Sequence, residues 1–346
     1  MKKSFLDFFP LPKFLAMPTV GISISDSTLR SVEFRPHRHA LAVHSWSEQV
    51  LPEGVVADGL VAQKDKLVTI LTKLAREKSI TWIRFALPEE KCFVYMTQIT
   101  FPESTKIDAG ILTVIPREVV AATLTQNIPI TPTDVIFDFS VLSVDTKTRT
   151  AQIVVYAFPL ALAVTYADVF TAAGLTPLSF ETESQSIARA VLQHGKVGTD
   201  MIVHFMKRKT IVAIVSDGRV LYASTVSYAT GTHSASDAAT MKESVELLSV
   251  RDELMKVVSY WHSMRGREKK DKIQSVVVSG DVGNMLDVPD YISKHVNVPS
   301  KLANVWQNAF STDDHVPEIP FEKSLEFAAA AGLALASTIP HHAQLP

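Results

Sequence analysis

Three stretches of this sequence carry residue types suited to gripping an anion. The first, Val20–Phe34, reads apolar, polar, apolar, with Ser25, Asp26, Ser27 and Thr28 in its turn and Arg30 just beyond. Hydroxyls and backbone N–H groups in such a turn can donate to phosphate, and an arginine can supply charge. The second, Met201–Val215, repeats that strand-turn-strand plan with His204 and Met206 at the approach to its turn. The third runs from Val276-Val277-Val278 into Ser279-Gly280-Asp281-Val282-Gly283. Two similar hairpins and a late glycine turn fit the chemistry of phosphate binding and, with a metal, of phosphoryl transfer.

The details of the three stretches argue against that chemistry. Met206 is a bulky apolar residue at the second turn, and Asp281 is no aid to an anion. Glycine is scarce, 13 of 346 residues against a usual ~7%, although phosphate loops depend on it. Neither G-x-x-x-x-G-K-[ST] nor G-x-G-x-x-G occurs, and His194-Gly195-Lys196-Val197-Gly198 has the wrong spacing for either. Other chemistries have less support still. Cys92 is the single cysteine, which excludes an intrachain disulfide framework and a C-x-x-C metal site. His37 and His39 read as solvated turn residues, with no second ligand pair at zinc spacing. No spacing of Ser, His, Cys and Asp suggests a nucleophilic triad. With 34 basic and 36 acidic residues the net charge is −2, so no basic field points to nucleic acid.

The elements that must position these turns are legible as alternation and helical spacing. A meander covers Val20–Ile24, Leu29–Phe34 and Ala40–Trp46. Leu67, Ile70, Leu71 and Leu74 then follow the spacing of an amphipathic helix. Thr81–Ala86 and Phe93–Ile99 read as strands. From Phe101 to Ala173 the pattern changes to a compact unit: a helix over 109–126, strands over Val135–Val144 and Ala151–Phe158, and a helix from Pro159 to Gly174. Asp217-Gly218 between two β-rich runs predicts a tight hairpin. A long helix carries Leu247, Val250, Leu254, Val257, Val258 and Trp261 on one face, Arg265–Lys272 reads as a solvated loop, and alanine-rich Phe327–Ala336 predicts a closely packed helix. No apolar run reaches the ~20 residues of a membrane span.

In order and spacing these segments resemble the PilM family, actin-like proteins of type IV pilus assembly related to the division protein FtsA. The resemblance covers nearly the whole chain. It rests on Val20–Phe34, on Leu51-Pro52-Glu53-Gly54 with Asp58-Gly59, and on Asn127-Ile128-Pro129-Ile130-Thr131-Pro132 running through Phe137 to Leu142. It continues in Ala172-Ala173-Gly174-Leu175-Thr176-Pro177, Glu181-Thr182-Glu183, Val276–Gly283, Tyr291–Leu302 and Phe327–Leu333. The resemblance implies an α/β, actin-like (ribonuclease H-like) fold of two lobes with an inserted α/β subdomain. It also implies a division into an apolar leader (1–18), a first half (19–100 and 174–198), a peptide-binding insertion (101–173), a second half (199–337) and a tail (338–346).

The same resemblance implies a cytoplasmic scaffold, peripheral to the inner membrane, that grips the N-terminal peptide of a PilN-like membrane protein. Ile128, Ile130 and Phe137 are candidates for the groove, each equally readable as subdomain core. Self-association is left open, and nucleic acid is not expected. The nucleotide cleft would be formed by Ser25, Asp26, Ser27, Arg30, Gly280, Asp281 and Gly283. Here the family's aspartate and glycine positions hold Ser23 and Ser25 in the first turn and His204 and Met206 in the second, and Arg30 replaces a lysine. The expectation is therefore a non-enzyme with no catalytic residue, no metal and no certain cofactor, ATP with Mg binding weakly or not at all. The competing readings are an FtsA-like filament former and a kinase of the same superfold. The first would need a C-terminal amphipathic helix, which Pro340–Pro346 does not provide; the second would need glycine-rich loops and a catalytic aspartate. Phe5, Phe8, Phe9 and Phe14 beside Lys2, Lys3 and Lys13 make the leader either a packed arm or an amphipathic contact with a membrane or partner.

Overall fold

The computed structural model describes residues 19–37, 40–101, 107–108, 111–112, 115–227, 245–265, 271–281, 287–311, 313 and 315–336. The apolar leader, Arg38 and His39, the centre of the 265–272 run, Gly283 and the tail lie outside the described residues.

The first half opens with β1 (Val20–Ile24), β2 (Thr28–His37) and β3 (Ala40–Val50). A two-stranded hairpin, β4 (Val56–Ala57) and β5 (Leu60–Val61), leads to α1 (Lys64–Lys78) and β6 (Trp82–Leu87). The α1 helix seats Leu67, Leu71 and Leu74 in the core and stops at Ser79, which adopts a left-handed conformation. A smaller unit follows: β7 (Phe93–Thr100), the short pair β8 (Ile107–Asp108) and β9 (Ile111–Leu112), α2 (Arg117–Asn127), β10 (Val135–Asp145) and β11 (Thr150–Pro159). The chain returns through α3 (Leu160–Ala172), β12 (Thr176–Thr182) and α4 (Glu183–Val191). The α4 helix starts where a capping box forms, Thr182 and Gln185 satisfying each other's backbone N–H groups.

The second half comprises β13 (Thr199–Phe205), β14 (Lys209–Ser216), β15 (Arg219–Ser227), α5 (Val245–Arg265), β16 (Ile273–Gly280), α6 (Val288–Val296) and β17 (Ser300–Leu302). It ends in α7 (Phe321–Ser324) and α8 (Ala328–Leu335). The β14–β15 turn is the two-residue Asp217-Gly218 loop, both residues with positive φ as such hairpins require.

The two main sheets have one topology. The first runs β12-β6-β1-β2-β3 and the second β17-β16-β13-β14-β15. In each, the opening strand pairs antiparallel with the next and parallel with a later strand, β6 or β16. The repeated hairpins of the sequence thus occupy equivalent places. Every residue of β13 is buried, so its apolar run belongs to a central strand covered on both faces.

Alanine-rich α8 is buried along its whole length and crosses α4 between the halves. Its Gly332 explains the composition: a Cβ there would lie 1.7 Å from the carbonyl oxygen of Ser186. Only small side chains allow two helix backbones so close.

The boundaries of the inserted unit differ from the expected 101–173. Its sheet runs β10-β11-β7, so it begins at Phe93, because β7 pairs with β11 throughout its length. Helix α3 belongs instead to the first half, where Tyr166 and Phe170 pack on Phe85 with ring centroids 4.7 and 4.9 Å away. The helix expected over 109–126 starts only at Arg117, after Pro116, whose missing N–H and fixed φ suit a helix entry. The small unit also leans on the second half, the Tyr156 hydroxyl donating to the Val220 carbonyl over 2.9 Å.

Candidate functional site

The first candidate turn is closed by its own hydroxyls. Ser25 Oγ accepts from the Thr28 N–H over 3.1 Å and shares a 2.9 Å hydrogen bond with Thr28 Oγ1. Such side-chain turns use up the groups that an anion would otherwise engage. Asp26 faces elsewhere. Its carboxylate accepts from the N–H groups of Asp58 (3.0 Å) and Gly59 (3.1 Å), pinning the β4–β5 turn. Asp26 is therefore a structural tie bonded to the β4–β5 turn, where a place in the cleft lining was expected.

The second turn and the end of β16 are equally self-satisfied. His204 is buried, its Nδ1 2.8 Å from Ser279 Oγ. Burial, then the charges of Arg30 and Lys209, push its imidazole down to about 3, so it stays neutral. Met206 closes its turn by donating its N–H to the Lys209 carbonyl over 2.9 Å. Gly280 has φ +96°, and a Cβ there would lie 2.0 Å from the Phe205 carbonyl oxygen. The glycine lets β16 cross tightly beside β13, a role independent of any phosphate. Asp281 seals the crossing by donating its N–H to that same carbonyl over 2.9 Å.

Ser25, Ser27 and Arg30 from the first turn thus meet His204–Lys207, Asp281 and a residue the sequence did not flag, Glu326. The free volume between them is about 10 Å³, room for roughly one water molecule. The two terminal nitrogens of Arg30 are engaged: they bond to Glu326, to Thr28 Oγ1 (3.1 Å) and, across the strands, to Glu48 (3.4 Å). Lys323 completes the cluster, 2.5 Å from Glu48 and 3.0 Å from Glu326. Two cations and two carboxylates therefore balance one another at the mouth of the cleft. Among the described residues this lining does not suit Mg-ATP, because Arg30 and Lys323 already hold carboxylates.

A second buried cluster joins the halves nearby. Lys209, at the start of β14, reaches across to Glu90 and to Glu183 at the start of α4, the latter at 2.8 Å. Glu183 in turn accepts from the Glu89 N–H over 3.0 Å, while Glu89 accepts from both the N–H and the hydroxyl of Ser184 at 2.8 Å. Burial pushes the Glu89 carboxyl up to about 7, against the opposing hydrogen bonds from Ser184. Burial also raises Glu183, against the pull of Lys209. For Lys209 burial acts downward, but Glu183 and Glu90 outweigh it and hold the ammonium charged. No local sequence signal marks this cluster, because its members come from three separated segments.

Of the groove candidates, Ile128 is buried in the core of the small unit beneath β10 and β11 and lines no surface. This corrects its candidacy: the residue that ends α2 turns inward. Ile130 and Phe137 are half-buried, and Arg117 lies over the Phe137 ring at 4.3 Å. Among the described residues strand β10 is an edge, hydrogen-bonded on one side to β11. Its outward residue Ile136 is 44% exposed.

Residues 21–236 match the family model described as type IV pilus assembly protein PilM. The chain belongs to the PilM family. A search of curated protein sequences returns no match. Among solved structures the chain is similar to the "PilM-PilN type IV pilus biogenesis complex", with a TM-score of 0.72 at 17% identity, covering 94% of this chain and 100% of that one. A looser likeness is to the ethanolamine utilization protein EutJ from Carboxydothermus hydrogenoformans, with a TM-score of 0.47 at 14% identity over 94% and 91% of the two chains. The fold is actin-like, two equivalent halves with an insertion in the first. Among the described residues no helix is long and apolar enough to cross a membrane.

Proposed function

We propose that this chain is a scaffold subunit of a type IV pilus, or related secretion, assembly platform at the cytoplasmic face of the inner membrane. It holds the N-terminal peptide of a PilN-like membrane protein and does not turn over ATP. The observation that carries this reading is the family match over residues 21–236, which spans the first half, the small unit and the hairpins that open the second half. The likeness to a PilM–PilN complex supports the choice of partner. The open edge of β10, flanked by Ile130, Ile136 and Phe137, is suited to an extended segment with apolar anchors. The ion-paired cleft with space for about one water supports the absence of nucleotide turnover.

Two or three buried Leu or Ile anchors, each worth about 1.5–3 kcal/mol, against several kcal/mol for ordering the peptide, give roughly micromolar affinity. The test is titration of labelled N-terminal peptides from single-span membrane proteins encoded beside this chain. Saturable micromolar binding by one of them is expected. A folded protein that binds none, or that hydrolyses Mg-ATP, overturns the reading.

A further inference from the structure

We propose that the Glu326 carboxylate is a built-in anion that fills an oxyanion site for phosphate or pyrophosphate and holds the cleft closed in place of a ligand. The inference rests on the nucleotide half of the function proposed above and is independent of the peptide half.

Four observations lead there. Glu326 lines the same small space as the Ser25–Thr28 turn and Lys207, where an anion would lie. It is held by the residues that would hold such an anion: Arg30 on one side and Lys323 on the other, both its oxygens 3.0 Å from the ammonium. A carboxylate and a phosphate offer Arg the same geometry of paired acceptor oxygens. Arg30 is also rigidly placed, with its guanidinium over the Phe327 ring at 5.8 Å. Finally, Arg30 Nε is buried and has no partner among the described residues, a donor that the single carboxylate does not reach.

Charge accounting gives the consequence. Arg30 and Lys323 balance Glu48 and Glu326. Shortening Glu326 removes one negative charge and opens space beside two cations, with Lys207 facing the same space. The wild-type cleft is charge-balanced and indifferent to added anions; the truncated one has a vacancy of matching sign.

The experiment compares wild type, Glu326→Ala, Glu326→Ser and the double variant Arg30→Ala/Glu326→Ala. Thermal melts are recorded against sodium pyrophosphate and phosphate, with sodium chloride at equal ionic strength. Glu326→Ala should melt about 4 °C or more below wild type and recover with pyrophosphate beyond the chloride control. Its apparent pyrophosphate affinity should exceed that of wild type at least tenfold, and the double variant should lose the response. Equal responses of wild type and Glu326→Ala overturn the proposal, as does a folded Glu326→Ala that responds to neither anion. If neither single variant folds even when pyrophosphate is present throughout purification, the carboxylate is not acting as a replaceable anion and the proposal fails. A wild type inert to Mg-ATP beside an unresponsive Glu326→Ala sinks this inference alone and leaves the proposed function standing.

Discussion

Lys209 Nζ lies 2.8 Å from Glu183 Oε2, so the second hairpin turn is tied directly to the helix that leads out of the first half. Both side chains are nearly inaccessible, at 12% and 3% exposure, and Glu90 completes the pairing. Side chains of the protein itself thus bridge the two lobes.

Replacing Lys209 with Met should destabilise the protein strongly. It strands Glu183 and Glu90 as buried carboxylates without their cation, a loss of about 3–5 kcal/mol for a broken buried pair. Adding Glu183→Gln to Lys209→Met should recover part of that loss. Urea unfolding of the single and double variants measures it, and strict additivity would contradict the coupling.

The raised Glu89 carboxyl gives a signed dependence on pH. Its folded value of about 7 exceeds the ordinary 4.5, so between those values the folded state binds more protons than the unfolded one. The Glu89 contribution is therefore most favourable below about pH 4.5, declines as pH rises, and is fully unfavourable above about pH 7, by up to about 3 kcal/mol. His204, held down to about 3, acts oppositely, costing stability as pH falls below 6.5. Subtracting the unfolding free energy of Glu89→Gln from that of wild type isolates the Glu89 term. The difference should decrease from pH 4.5 to pH 7 and then level off; a flat difference would count against the assignment.

Gly332→Ala should prevent tight α4–α8 packing. The added methyl would sit 1.7 Å from the Ser186 carbonyl oxygen, a backbone atom that cannot turn aside. Overpacking of this kind costs about 3 kcal/mol or more. A soluble Gly332→Ala protein with an unchanged melting temperature would show that the helices separate freely.

Ile128 and Ile130 should behave differently although they are two residues apart. Ile128→Ala removes a buried side chain and should cost about 2–5 kcal/mol of stability. Ile130→Asp, at a half-buried position beside β10, should instead weaken peptide binding about tenfold or more while shifting stability less. Parallel melts and peptide titrations separate the two; reduced affinity from Ile128→Ala alone would move the groove elsewhere.

The sequence by itself determined the repeating scaffold. Alternation in Val20–Phe34 and Met201–Val215 marks strands with their turns, and Asp217-Gly218 marks the hairpin, because these patterns depend on neighbours close in the chain. The scarcity of glycine in these turns was legible for the same reason. What tertiary structure decided is where the polar groups spend their hydrogen bonds. Asp26 and Arg30 are four residues apart, yet one pins Asp58-Gly59 and the other holds Glu48 and Glu326. Nothing in the sequence around Arg30 announces a partner nearly three hundred residues away, and nothing around Lys209 announces Glu90 and Glu183. Ion pairing acts through space, so its partners are fixed only once the two sheets and α8 have packed the segments together.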